Sequence, residues 1–141
     1  SDIAGDIKKK GKKKWQAGLE VARKINKKKP TSLMPAKFGI WSAKRYLSLY
    51  EPGRAEDVFP YYNPRARWKE LKSVKIPTAV IVGSKDEHLD RPAKNLIKIF
   101  QEKVQATKNF SGIIIKGADH GFRKKEKELS AEIIKFIKTG L

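Results

Sequence analysis

The sequence predicts an α/β protein: a partial parallel sheet with flanking helices, preceded by a helical region. Three observations carry that prediction. Residues 78–82 (TAVIV) form a short apolar run rich in β-branched side chains that stops at Gly83, as suits a strand buried on both faces of a parallel sheet. Residues 112–115 (GIII) form a second such run. Between them Leu96, Ile97, Phe100 and Val104 recur at helical spacing. The result is a strand–helix–strand unit whose crossover is expected to be right-handed.

Taken from the amino terminus, residues 1–7 (SDIAGDI) have neither a tail's composition nor an element's periodicity, and no element is expected there. Trp15, Leu19, Ala22 and Ile25 then predict an amphipathic helix over 15–25, which Pro30 stops. Residues 31–40 read as an irregular connection. Ser42 is a natural N-cap for a helix over 43–50 whose sticky face is Tyr46, Leu47 and Tyr50. Residues 51–54 (EPGR) are a turn. The next stretch is loop-like and aromatic, with Phe59, Tyr61, Tyr62 and Trp68, and Pro60 and Pro64 exclude a central strand. Such aromatics pack a loop onto the body or line a pocket. Asn63 as cap and Pro64 at the first position predict a helix over 64–74.

After the first strand, the acidic loop GSKDEHLD leads to a helix capped by Asp90, with Pro92 in its first turn. The last helix is expected over 124–139, burying Leu129, Ile133, Phe136 and Ile137 and stopping at Gly140. Two regions follow: a basic helical part, 1–75, and a carboxyl-terminal core part, 76–141. There are no internal repeats.

Composition narrows the classes. At 141 residues the chain is at most one domain's length. No run is long enough to span a membrane and no signal peptide is visible. With no cysteine, disulfides and thiolate metal sites are excluded, and a cytoplasmic location is the default. The net charge of +18 is unevenly placed: residues 8–29 hold ten lysines and Arg23 against Glu20 alone. Such clusters can touch phosphate or an anionic surface. Lysine runs without arginine or interleaved aromatics carry little recognition content, so the plainer reading is a solvated face.

The chemistry-bearing residues lie past the two strands. Asp86 and Glu87 follow the first strand, and His120 follows the second within KGADHGF. The carboxyl edge is where open α/β sheets build sites. Gly117 and Gly121 allow a sharp turn and leave the imidazole uncrowded. A carboxylate that accepts from one ring nitrogen fixes the tautomer and stabilises the imidazolium formed when the other nitrogen takes a proton. Asp86 and His120 are therefore the candidate catalytic pair. In the bland alternative, Asp86, Glu87 and Asp90 are loop and capping residues and His88 is an exposed one. Asp119 is expected to be a turn residue, because sequence neighbours rarely face each other across a loop. His88 and His120, with Asp86, Glu87 and Asp119, are metal donors on paper. They lack a tight His-x-x-x-His spacing, so no metal and no cofactor are expected.

The ordered set IPTAVIVGSKDEHL…GIIIKGADHGF…IIKFI resembles the carboxyl-terminal third of α/β-hydrolases. In that family an acid follows a late core strand, a histidine follows the last one, and a helix closes the chain. The resemblance implies a serine-hydrolase-type, esterase-like activity on a small ester substrate, with Asp86 as triad acid and His120 as triad base. Residues 31–75 resemble the helical lid of an esterase-like subgroup, which makes 1–75 a lid or insertion region.

One part of the pattern is missing. The family's order is nucleophile, acid, histidine, with the serine in a G-x-S-x-G elbow. None of Ser1, Ser32, Ser42, Ser48, Ser73, Ser84, Ser111 and Ser130 has that context; Ser84 follows Gly83 but precedes Lys85-Asp86. The expectation is the carboxyl-terminal part of such an enzyme, inactive by itself. Two parallel strands make a poor isolated sheet. The expected partner is thus the missing amino-terminal half, or another chain pairing at the sheet edge. A second expectation is a non-catalytic remnant that binds an anionic partner, nucleic acid or lipid, through its lysine-rich segment.

Overall fold

The lysine-rich start folds as two helices. A computed structural model, which describes residues 2–140, has α1 at Asp2–Lys10 and α2 at Lys12–Lys28. Gly11 between them takes φ +81° and interrupts the helical path. The sequence predicts no element at the start, yet residues 2–7 lie in α1. Ile3, Ala4 and Ile7 are too few to register as a period. Packed against α2 and α3 (Ala43–Tyr50) they suffice, because tertiary burial rather than propensity stabilises short helices. Asp6 pairs with Lys10 one turn on, at 2.7 Å.

The chain forms two compact units, one up to Ala66 and one from Arg67 onward. The core of the first gathers Ile3, Trp15, Leu19, Ala22, Met34, Ala43, Tyr46 and Leu47. The predicted periodicity of α2 and α3 is what meets here. The Trp15 indole donates to the Tyr50 carbonyl at 3.1 Å, and Ser42 Oγ accepts from Arg45 N at 3.2 Å as the expected cap. Tyr46 is fully buried, edge-on to Phe38 and 4.7 Å from the Tyr50 ring. Among the described residues its hydroxyl has no hydrogen-bond partner, and neither has Asp6 Oδ2. Burial, reinforced by the Asp6 carboxylate, pushes the Tyr46 phenol up to about 12.

In the second unit the order is α4 (Lys69–Lys72), β1 (Thr78–Gly83), α5 (Ala93–Lys103), β2 (Phe110–Ile115) and α6 (Glu126–Gly140). β1 and β2 pair in parallel, from Thr78 opposite Phe110 to Gly83 opposite Ile115. The fold is therefore mixed α/β, a small parallel sheet with flanking helices. Leu96 and Phe100 of α5 and Val104 beyond it are buried as their spacing predicts, and Trp68 stands perpendicular to Phe100 with centroids 5.3 Å apart. Trp68 and α4, at the end of the aromatic stretch, belong to this unit.

Three local expectations are corrected. The helix over 64–74 shrinks to α4, because Asn63 Oδ1 instead accepts from Arg65 N in a turn. Asp90 does not cap α5; its carboxylate forks with Arg91, and Pro92 precedes the helix. The third concerns α6. Leu129 and Phe136 are only half-buried, and Ile133, Ile134 and Ile137 are exposed. A two-stranded sheet is too narrow to cover a helix stripe. An open groove of about 740 Å³ lies between β2 and α6, lined by Ile113, Ile115 and Phe136 among others and reaching neither Asp86 nor His120. Among the described residues no helix is long and apolar enough to cross a membrane.

Tyr46→Phe keeps the ring and deletes an unsatisfied buried hydroxyl. Denaturant unfolding is expected to show unchanged stability or a gain of up to about 1 kcal/mol, whereas a loss of that size would mean that the hydroxyl is bonded.

Candidate functional site

The register Gly83 opposite Ile115 makes both strands end at the same level, and the two following loops leave side by side. Backbone groups then stitch them together. Ser84 N donates to Ile115 O at 3.0 Å and Lys85 N to Ala118 O at 2.9 Å. In return Gly117 N donates to Ser84 Oγ at 2.7 Å. Gly117, at φ +78°, makes the turn its sequence position predicts. Beyond His120 the left-handed residues are Phe122 and Lys124, not Gly121.

This frame brings the two predicted residues together. His120 Nδ1 lies 3.0 Å from Asp86 Oδ2, while Asp86 Oδ1 accepts from His88 N at 2.8 Å. The Asp86 side chain is sheltered, 11% exposed, whereas that of His120 is 62% exposed. A carboxylate can only accept, so Nδ1 carries the proton in this contact and Nε2 is left as the basic nitrogen.

Sequence reasoning missed three contributors. Glu87 Oε2 accepts from the His120 amide at 3.1 Å, fixing the backbone that carries the imidazole. The His88 ring meets that of His120 at 75°, centroids 4.6 Å apart, so it is more than a bare loop residue. Ser84 ties the turn at Gly117. Nothing in their types or spacing separates these three from ordinary loop residues; only the strand register aligns them.

Asp119 behaves as a turn residue. It accepts from Arg123 N at 3.0 Å and Arg123 Nε at 2.6 Å, and these bonds hold its carboxyl below the usual range. Glu87 is held below its ordinary value of 4.5 by a bond from its own backbone and one from the His120 amide. Among the described residues no three His, Asp or Glu side chains converge as a metal site.

Gly83 has no room for a side chain: a Cβ there would lie 2.5 Å from the Ala118 carbonyl oxygen and 2.6 Å from that of Asp119. Gly83→Ala is expected to force the loops apart, lower stability by about 1–3 kcal/mol and break the Asp86–His120 bond. Chemical denaturation and imidazole NMR signals read these effects.

The Glu87 anchor has a definite pH sense. A carboxyl lowered in the folded state stabilises it fully above the unfolded value, and that contribution disappears as pH falls through the lowered value. In the His120 amide resonance the Glu87 contribution is therefore expected only as pH falls through the acidic range, below the ordinary Glu value. Glu87→Gln removes that titration.

A family model described as "Protein of unknown function (DUF1749)" matches residues 2–140. No curated protein and no solved structure gives a significant match.

Proposed function

The chain belongs to the DUF1749 family, and from the site it carries we propose that it supplies the acid–base arm of a serine-hydrolase-type enzyme. The enzyme would be an esterase-like α/β-hydrolase acting on a small ester. What supports this reading is one contact, His120 Nδ1 to Asp86 Oδ2 at 3.0 Å, at the carboxyl ends of adjacent parallel strands. In this mechanism His120 Nε2 takes the proton of a serine hydroxyl as that oxygen attacks the ester carbonyl. The imidazolium, stabilised by Asp86, then returns the proton to the departing alkoxide.

The serine and the oxyanion donors come from residues outside this sequence. Ser84 is no substitute, since it lacks the G-x-S-x-G context and instead ties the turn at Gly117. The partner that brings them is either an amino-terminal hydrolase half or a second chain. It adds a strand to the sheet, where β1 has a strand neighbour on one side only among the described residues.

The chain alone is expected to leave short p-nitrophenyl esters intact, and co-expression with a polypeptide carrying the G-x-S-x-G segment is expected to yield hydrolysis. Asp86→Asn should then lower kcat by roughly 10⁴-fold, and His120→Ala by about 10⁶-fold, the scales seen when a triad acid or histidine is removed. Activity that survives His120→Ala sinks the mechanism. A lone chain that scatters light as a monodisperse monomer and unfolds cooperatively sinks the sheet-edge partner.

A second reading, a non-catalytic scaffold for an anionic partner, draws on the ten lysines of residues 8–29. Its signature is polyanion binding that weakens steeply with salt.

A further inference from the structure

Three of the four exposed large apolar side chains of the first unit lie on one loop, Phe59 being the fourth. Residues 30–44 are pinned at the base by bonds from Ser32 N to Lys29 O, Lys44 N to Pro30 O and Ala43 N to Ser32 O, of 3.0, 3.0 and 2.8 Å. An antiparallel bridge pairs Leu33 with Ser42, and Met34 N donates to Trp41 O at 2.8 Å. A 3₁₀ turn, Ala36–Phe38, closes the loop. The loop is thus ordered, and Met34 anchors it in the core. Even so Ile40 is 93% exposed, Leu33 67% and Trp41 36%. Single exposed apolar residues are common, but two aliphatics and an indole on one short, hydrogen-bonded loop are not.

The charge around the loop has one sign. Between Glu20 and Glu51 the sequence holds no acidic residue and eight cationic ones. Two of these are neutralised, Arg23 by Glu51 and Arg45 by Glu56. Among the described residues no carboxylate lies within ion-pair distance of Lys27, Lys28, Lys29, Lys37 or Lys44, which flank or lie on the loop.

We propose that residues 27–44 form a docking surface for an anionic lipid bilayer, with Leu33, Ile40 and Trp41 entering the headgroup–acyl boundary and the five lysines meeting acidic headgroups. Water-exposed aliphatics gain from hydrocarbon, indole favours the interface, and lysine near a negative leaflet is attracted within a Debye length. Nucleic acid fits less well. Its phosphates would engage the lysines and Trp41 would stack on one base, but Ile40 and Leu33, the two most exposed residues of the loop, offer nothing to a base edge or a stacked base. This surface is separate from Lys8–Lys14, since α2 is about 25 Å long and puts the two lysine clusters at opposite ends. It is also independent of the ester-hydrolase reading.

The test uses phosphatidylcholine vesicles with and without phosphatidylserine. Of the three tryptophans, Trp15 and Trp68 are buried, so lipid-borne bromine quenches chiefly Trp41. Co-sedimentation and quenching are expected with phosphatidylserine vesicles and not with phosphatidylcholine alone. Ile40→Ser and Leu33→Ser should each weaken binding roughly tenfold. Replacing Lys27, Lys28 and Lys29 by glutamine should weaken it roughly fivefold per lysine. These side chains are exposed, and unchanged circular dichroism and melting verify the fold. The proposal is overturned by absence of binding to phosphatidylserine vesicles, or by binding without Trp41 quenching. It is equally overturned if binding is indifferent to both serine variants, or if single-stranded nucleic acid binds as tightly with the same dependence on Ile40.

Discussion

Everything at the candidate site depends on a close backbone approach at Gly83. The last residue of β1 lies against the Ala118 and Asp119 carbonyls at a distance that no Cβ allows. That approach lets Ser84 and Lys85 donate across to the neighbouring loop, so two loops from different strands behave as one sheet-like layer beyond the sheet. An imidazole on an isolated loop such as that between β2 and α6 would sample many positions. Here its backbone amide is held by Glu87, its ring by Asp86, and its preceding turn by Ser84. Two side chains of one loop hold His120 and a third holds the turn before it, so the residue is positioned by the fold rather than left to the loop.

The electrostatics follow from the same frame. Asp86 is the sheltered member of the pair and has both oxygens occupied, one by a backbone amide and one by the ring. Such a carboxylate is a fixed acceptor rather than a mobile charge. The more exposed carboxylates have other tasks: Glu87 takes the His120 amide, and Asp119 is engaged by Arg123. Three acids within reach of one histidine are thereby separated into an orienting group, a backbone anchor and a turn closure. Type alone would not assign them.

That division marks where the sequence was legible. Burial patterns survive translation into one dimension, so β1, α2, α3 and α5 were readable from apolar spacing, and Ser42 from its cap position. The level of Asp86 and His120 was readable too, because each follows a strand by a few residues. Features that depend on a neighbour far along the chain were not. α1 needs α2 and α3 to bury Ile3; α4 is shortened by a side-chain bond that local pattern does not force; the partners of Glu87 and Ser84 exist only once β1 and β2 are in register. α6 differs again: its apolar stripe is plain in the sequence, but a periodic stripe shows only that burial is favourable, not that this chain supplies the cover.

The exposed apolar residues of the two units therefore mean different things. In the second unit all but Ile76 lie on regular elements: Ile133, Ile134 and Ile137 on α6 and Ile114 on β2. Residues at helix and strand spacing suit a flat or ridged protein surface, the kind that another strand or helix completes. In the first unit the core is closed around Tyr46 and Trp15, yet Leu33, Ile40 and Trp41 stand out from an ordered, irregular loop flanked by lysines in sequence. A loop has no period to match a neighbour's ridges, and clustered like charge disfavours a dry protein interface, where desolvating each lysine costs more than it returns. A fluid, anionic boundary needs no such match and leaves the ammonium groups wet. One set of exposed side chains thus calls for a shaped polypeptide partner, and the other for a surface without shape.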